Sequence, residues 1–171
     1  MQRFTVVALL LLCTAVPVSL AAKEKAKPVD MKDINRIFVG WVDINQEDWK
    51  MQGYASRKDW LDVISNANST FQQRVIKSLA GRTVTAAKDK DDAAPAGNDL
   101  YIKFSDARVD KKYQLHIAVH FIDLKTNNEV GSIPLESYSA HFCSLSSCID
   151  KELDEVKWLI QKNLVTPEEK H

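Results

Sequence analysis

From residue 99 to residue 138, apolar and polar side chains alternate in three consecutive blocks separated by short polar turns, the period of half-buried strands. In the middle block Tyr113, Leu115, Ile117, Val119 and Phe121 fall on one face of a pleated strand. Leu100, Ile102 and Phe104 repeat the pattern before it, and residues 130–138 carry Ile133 and Leu135 after it. Residues 106–112 and 125–129 supply the connections, the second with Asn127 and Asn128, which tolerate positive φ. An antiparallel meander is predicted, and its apolar face needs a cover.

Two stretches with helical spacing supply that cover. Trp60, Val63, Ile64, Ala67, Phe71, Val75 and Leu79 recur at steps of three and four, behind a candidate N-cap at Ser56 with Asp59 at the reciprocal position, and Gly81 suits the turn past the helix end. Leu153, Val156, Leu159, Ile160 and Leu164 form a second stripe over residues 150–164, which Thr166 and Pro167 terminate. Residues 36–43 form a nearly continuous apolar run, the mark of a strand covered on both faces and therefore inside the sheet. Residues 82–86 read as a short strand and residues 88–98 as a polar excursion. The expectation is one α+β domain over residues 34–164, with a mixed, mostly antiparallel sheet in the order β-α-β-β-β-β-α and both helices on one face.

Composition changes this picture mainly at the ends. With 171 residues, 45% of them hydrophobic, the chain can bury one real core. Arg3 precedes an apolar run from Phe4 to Cys13, and Ser19, Leu20 and Ala21 match a small-x-small cleavage pattern, so residues 1–21 read as a signal peptide. The run is too short for a bilayer span, which needs about 20 apolar residues. Cys13 follows Leu12 inside that run, where lipidation is not expected. Loss of Arg3 leaves 22 bases against 23 acids. No basic surface for nucleic acid is visible, and no integral membrane span is expected after cleavage. Residues 22–33, rich in lysine, read as a flexible arm and residues 165–171 as a C-terminal tail.

Candidate chemistry is sparse. Cys143 and Cys148 remain after cleavage, and in an exported chain they are expected as a disulfide. Four intervening residues do not fit a thioredoxin-like pair. Trp41, Trp49 and Tyr54 lie in and around an aperiodic loop and are candidates for a groove that takes a partner, a glycan or another small ligand. The competing reading folds Trp49 and Tyr54 back over the core. His116 and His120 share a strand face about 13 Å apart, too far to ligate one metal together. Asp43, Asp106 and Asp123 sit near strand ends, but Asp106 and Asp123 belong at opposite rims. Asn68 opens a formal glycosylation sequon within a predicted helix, a poor acceptor context. Neither a metal site nor a cofactor site is predicted.

The order of elements, together with residues 37–43, 99–104 and 121–126, resembles a group of small exported bacterial proteins of unassigned function. Their domains are similar to the N-terminal domain of the Tol-system propeller protein and to the periplasmic domain of the curli secretion channel. That resemblance implies a non-enzymatic protein-interaction or assembly module of the cell envelope, periplasmic or secreted, with a protein partner there. The alternatives are a small-ligand or glycan binder using the aromatic loop, and a thiol oxidoreductase or weak hydrolase.

Overall fold

In chain order the elements are β1 (Val29–Asp30), β2 (Arg36–Val39), α1 (Arg57–Ser78), β3 (Thr83–Ala86), β4 (Leu100–Val109), β5 (Leu115–Asp123), β6 (Asn128–Tyr138), α2 (Leu145–Asn163) and β7 (Leu164–Val165). The structure is a computed structural model and describes residues 26–46, 50, 52–138 and 145–165. Five strands form the main sheet in the order β3-β2-β4-β5-β6. Strand β2 pairs parallel with β3 and β4, and the meander β4-β5-β6 is antiparallel. The domain is α+β, with both helices on one face.

Alternation decides which face is covered. Ile37, Val39, Leu100, Ile102, Leu115, Ile117, Val119, Phe121 and Ile133 join Trp60, Ile64, Phe71 and Val75 of α1 and Leu153, Val156 and Ile160 of α2 in one core. Burying each of the larger side chains stabilises the fold by roughly 1.5–3 kcal/mol. Phe38 points to the other face and packs on Tyr101 at 5.5 Å between ring centroids, so β2 is covered on both sides, as its unbroken apolar run requires. Helix α1 begins where Ser56 accepts the Asp59 amide at 3.2 Å, while the Ser56 hydroxyl donates to the Asp59 carboxylate at 2.8 Å. Two amide side chains of α1 then reach into the core. Asn68 accepts from the Val42 amide and donates to the Val42 and Ile64 carbonyls (2.8, 3.0 and 3.1 Å), and Gln72 donates to the Gly40 and Ala87 carbonyls (3.2 and 2.9 Å). They satisfy backbone groups where the chain leaves β2 and β3, which no strand partner serves.

Several boundaries differ from the alternation pattern. Tyr113 does not open β5. Its φ is 58°, it is 42% exposed, and it sits in a turn held by the Asp110 carboxylate, which accepts the Lys112 and Gln114 amides. Asp106 is no connector. Strand β4 runs on to Val109 through a bulge between Ser105 and Arg108, where Asp106 takes a φ of 56°. Strand β2 stops at Val39, although Val42 and Ile44 beyond it are fully buried, and α2 begins at Leu145, ahead of Asp150.

The expected flexible arm is the largest departure. Lys27 exchanges two backbone hydrogen bonds with Ser132 (2.7 and 3.1 Å), and β1 pairs parallel with β7, Val29 beside Leu164. Val29 and Met31 are each only 3% exposed. Gly131 makes room for this strap, since a Cβ there would lie 2.6 Å from the Lys27 carbonyl oxygen. Local composition, lysines with one proline, carries no sign of a pairing made with residues more than a hundred positions away.

Asp99 ties three parts together at the start of β4. Its carboxylate accepts the Asn35 and Arg36 amides (2.9 and 3.0 Å) and pairs with Lys125 at 2.9 Å in the β5-β6 hairpin. The Lys125 hydrogen bond and those two amides hold the carboxyl at about 2, below the unfolded value of about 3.9. The folded pKa is the lower one, so this contribution is complete above about pH 4 and is lost as pH falls toward 2. An Asp99→Ala variant should lose about 2 kcal/mol at neutral pH. In urea melts at pH 7 and pH 2 the gap from the native chain should shrink at the acidic pH, and a constant gap would show that the carboxylate charge is irrelevant.

Candidate functional site

The predicted site residues separate. Trp41 is half-buried and lines two shallow grooves, one of about 340 Å³ with Asp43, Gln46 and Leu61 and one of about 360 Å³ with Ser69, Ile76 and Lys88. Tyr54 lines neither. It packs on Trp60 at 5.2 Å between centroids, and burial raises its phenol pKa, so its place is over the core. Trp49 and Cys143 lie outside the described residues, as does His141. Cys148 is buried near the start of α2 and is disulfide-bonded. Asp123 accepts the Lys125 and Thr126 amides and so shapes the hairpin turn. Among the described residues no group of three or more His, Cys, Asp or Glu side chains is placed to hold a metal ion, and no helix is long and apolar enough to cross a membrane.

Two arrangements emerge that the sequence pattern did not point to. The first is a groove of about 350 Å³ between α2 and β6, lined by Tyr138, Asp154, Glu155, Trp158 and Leu159. Trp158 is 56% exposed, with the Lys162 ammonium 5.0 Å from its ring centroid. Tyr138 is only 5% exposed, and its hydroxyl has no hydrogen-bond partner among the described residues. Burial, with Glu136 and Glu155 nearby, pushes that phenol up to about 12. The groove therefore has mainly apolar walls, and the Tyr138 hydroxyl lies buried beneath them. Helical spacing could have flagged Trp158, which lies between Val156 and Leu159 but off their stripe.

The second arrangement lies on the sheet face away from the helices. His120 of β5 stands between Glu129 of β6, at 2.7 Å from Nδ1, and Ser105 of β4, whose Oγ is 2.9 Å from Nε2. The Ser105 hydroxyl is also 2.8 Å from the Asp106 carboxylate. Four residues earlier on the same strand, His116 Nε2 pairs with Asp110 Oδ2 at 2.9 Å. Burial opposes ionisation of Asp110, but the His116 bond and the turn amides outweigh it and lower its pKa. The histidines are thus half-buried and partnered, each with its own acid. Sequence spacing set them too far apart to share a metal, and their partners come from adjacent strands and from the turn at Asp110.

No family model matches the chain, and no curated protein does. Among solved structures, a variant of the PelC dodecamer from Paraburkholderia phytofirmans is 13% identical with a TM-score of 0.42, covering 75% of this chain and 89% of that one. A second PelC dodecamer from the same organism is 10% identical with a TM-score of 0.41, covering 83% and 95%.

Proposed function

We propose that this protein is an exported interaction or assembly module of the bacterial cell envelope, and that it docks a protein partner through the groove between α2 and β6. The observation that carries this reading is Trp158, a large aromatic left mostly in water beside Leu159 and the Tyr138 ring. An exposed aromatic anchor beside an apolar groove is the composition of an interface hot spot. Export is supported by the charged start, apolar run and small residues of positions 1–21.

A photo-crosslinking residue at position 158, in the full chain expressed with its leader, should give a discrete adduct with an envelope protein. The same residue at Ile76, also on an exposed helix surface, serves as the control and should give none. Trp158→Ala should weaken binding of the captured partner by roughly 30-fold, the effect of a hot spot of about 2 kcal/mol, with unchanged melting. Adducts equal at both positions would remove the docking site, and a full-length product retained in the cytosol would remove the export reading.

A further inference from the structure

Ser105, His120 and Glu129 come from three different strands and meet on the open face of the sheet, with heavy-atom separations of 2.9 and 2.7 Å. The order of atoms matters more than the distances. A carboxylate faces Nδ1 and the serine oxygen faces Nε2, so a proton held on Nδ1 leaves Nε2 able to accept the serine proton once the hydroxyl turns from the Asp106 carboxylate to which it donates. This is the relation between nucleophile, base and orienting acid on which acyl-transfer serines depend. The bulge after Ser105, with the left-handed φ of 56° at Asp106, fixes a register in which Ser105 is opposite Ala118 and so diagonal to His120 on the same face. Such devices re-aim side chains at reactive sites. Lys103 lies directly across from His120 in the β4-β5 register and two residues before Ser105 on the same face, and it is exposed.

We propose that Ser105 is a nucleophile for esters presented on this open face, activated by His120, with Glu129 as the positioning residue. Ser105 Oγ attacks the acyl carbon and forms a C–O bond, and its proton passes to His120 Nε2. The bond from that carbon to the leaving oxygen breaks, and the alkoxide takes the proton from Nε2 and departs as an alcohol. Water then attacks the acyl-serine by the same route, releasing a carboxylic acid and restoring the hydroxyl. No enclosing cavity stands over Ser105 among the described residues, so the substrates in question are small esters or ester groups on an extended polymer.

Asp106 works against this chemistry. Its carboxylate competes with Nε2 for the single hydroxyl proton and places a negative charge 2.8 Å from the attacking oxygen. The assignment therefore makes two opposite predictions at neighbouring residues. With an alkyl fluorophosphonate as the probe, phosphonylation expels fluoride and leaves an adduct that intact mass and peptide mapping locate. The native full chain should label at Ser105, Ser105→Ala should not label, and His120→Gln should label on the order of 100-fold more slowly. Asp106→Asn should label faster than the native chain, and Glu129→Gln more slowly. Thermal melts accompany each variant, so that only folded proteins are compared. If His120→Gln fails to fold, Glu129→Gln and Asp106→Asn still decide, because a purely structural hydrogen-bond chain gives no adduct in either. Absence of a Ser105 adduct on the folded native chain, or equal labelling of native, Glu129→Gln and Asp106→Asn proteins, overturns the proposal. Crosslinking at position 158 is independent of either result.

Discussion

An Asn68→Ala variant is expected to lose about 3 kcal/mol of stability and to melt roughly 9 °C lower, at about 3 °C per kcal/mol for a domain of this size. Asn68 is fully buried, and its side chain makes three hydrogen bonds, two of them to the backbone of Val42. Truncation leaves the Val42 amide in the core with no acceptor and the Val42 carbonyl with only the Ile44 amide, and an unsatisfied buried group costs roughly 1–3 kcal/mol. Asn68→Asp tests the same point differently, since it keeps the acceptor for the Val42 amide but replaces the donor. It should fall at least as far at neutral pH. Urea melts of both variants check this, and a change under about 0.5 kcal/mol, the range of ordinary surface substitutions, would mean that α1 does not hold the chain beyond β2. The same burial closes the glycosylation sequon at Asn68, because a side chain with no exposure in the folded protein presents no acceptor.

Trp60→Ala is expected to cost still more, about 3–5 kcal/mol, as for other large aromatic truncations in a core. The ring is 1% exposed, supports Tyr54 and donates from Nε1 to the Asn45 carbonyl at 3.1 Å. Trp60→Phe separates the contributions, since it keeps most of the packing and should lose only about 1 kcal/mol for the missing donor. Tm and urea midpoints measure both. Similar losses for the two variants would assign the residue's value to the hydrogen bond, not to the ring.

What was readable in advance follows from the range of the interactions. Period-two alternation set β4, β5 and β6 because each strand buries one face, and steps of three and four set α1 from Trp60 to Val75 for the same reason. Ser56 was readable as a cap because its bond reaches only three residues. The bulge at Ser105 and Asp106 was not, since an extra residue in a strand looks like the polar start of a turn. That one displaced residue hid the Ser105 and His120 encounter, which depends on the true register between β4 and β5. Trp41, Trp49 and Tyr54 looked like a site because aromatics in an aperiodic loop are ambiguous. Tyr54 went to the core, where Trp60 offered it a partner. The groove at Tyr138 and Trp158 required α2 to lie against β6, a placement that no local pattern specifies.

The strap formed by Lys27 and β1 also bears on how the molecule would respond to mechanical load. Tension applied between Val29 and Leu164 meets first the two residue pairs of β1 and β7, and behind them the Lys27 bridge to Ser132. Because β1 and β7 run parallel, such tension acts along both strands and loads their backbone bonds together, in shear, so the strap acts as a small clamp. A protein pulled at its ends would thus meet its first resistance at this clamp, ahead of the long ladders of the meander.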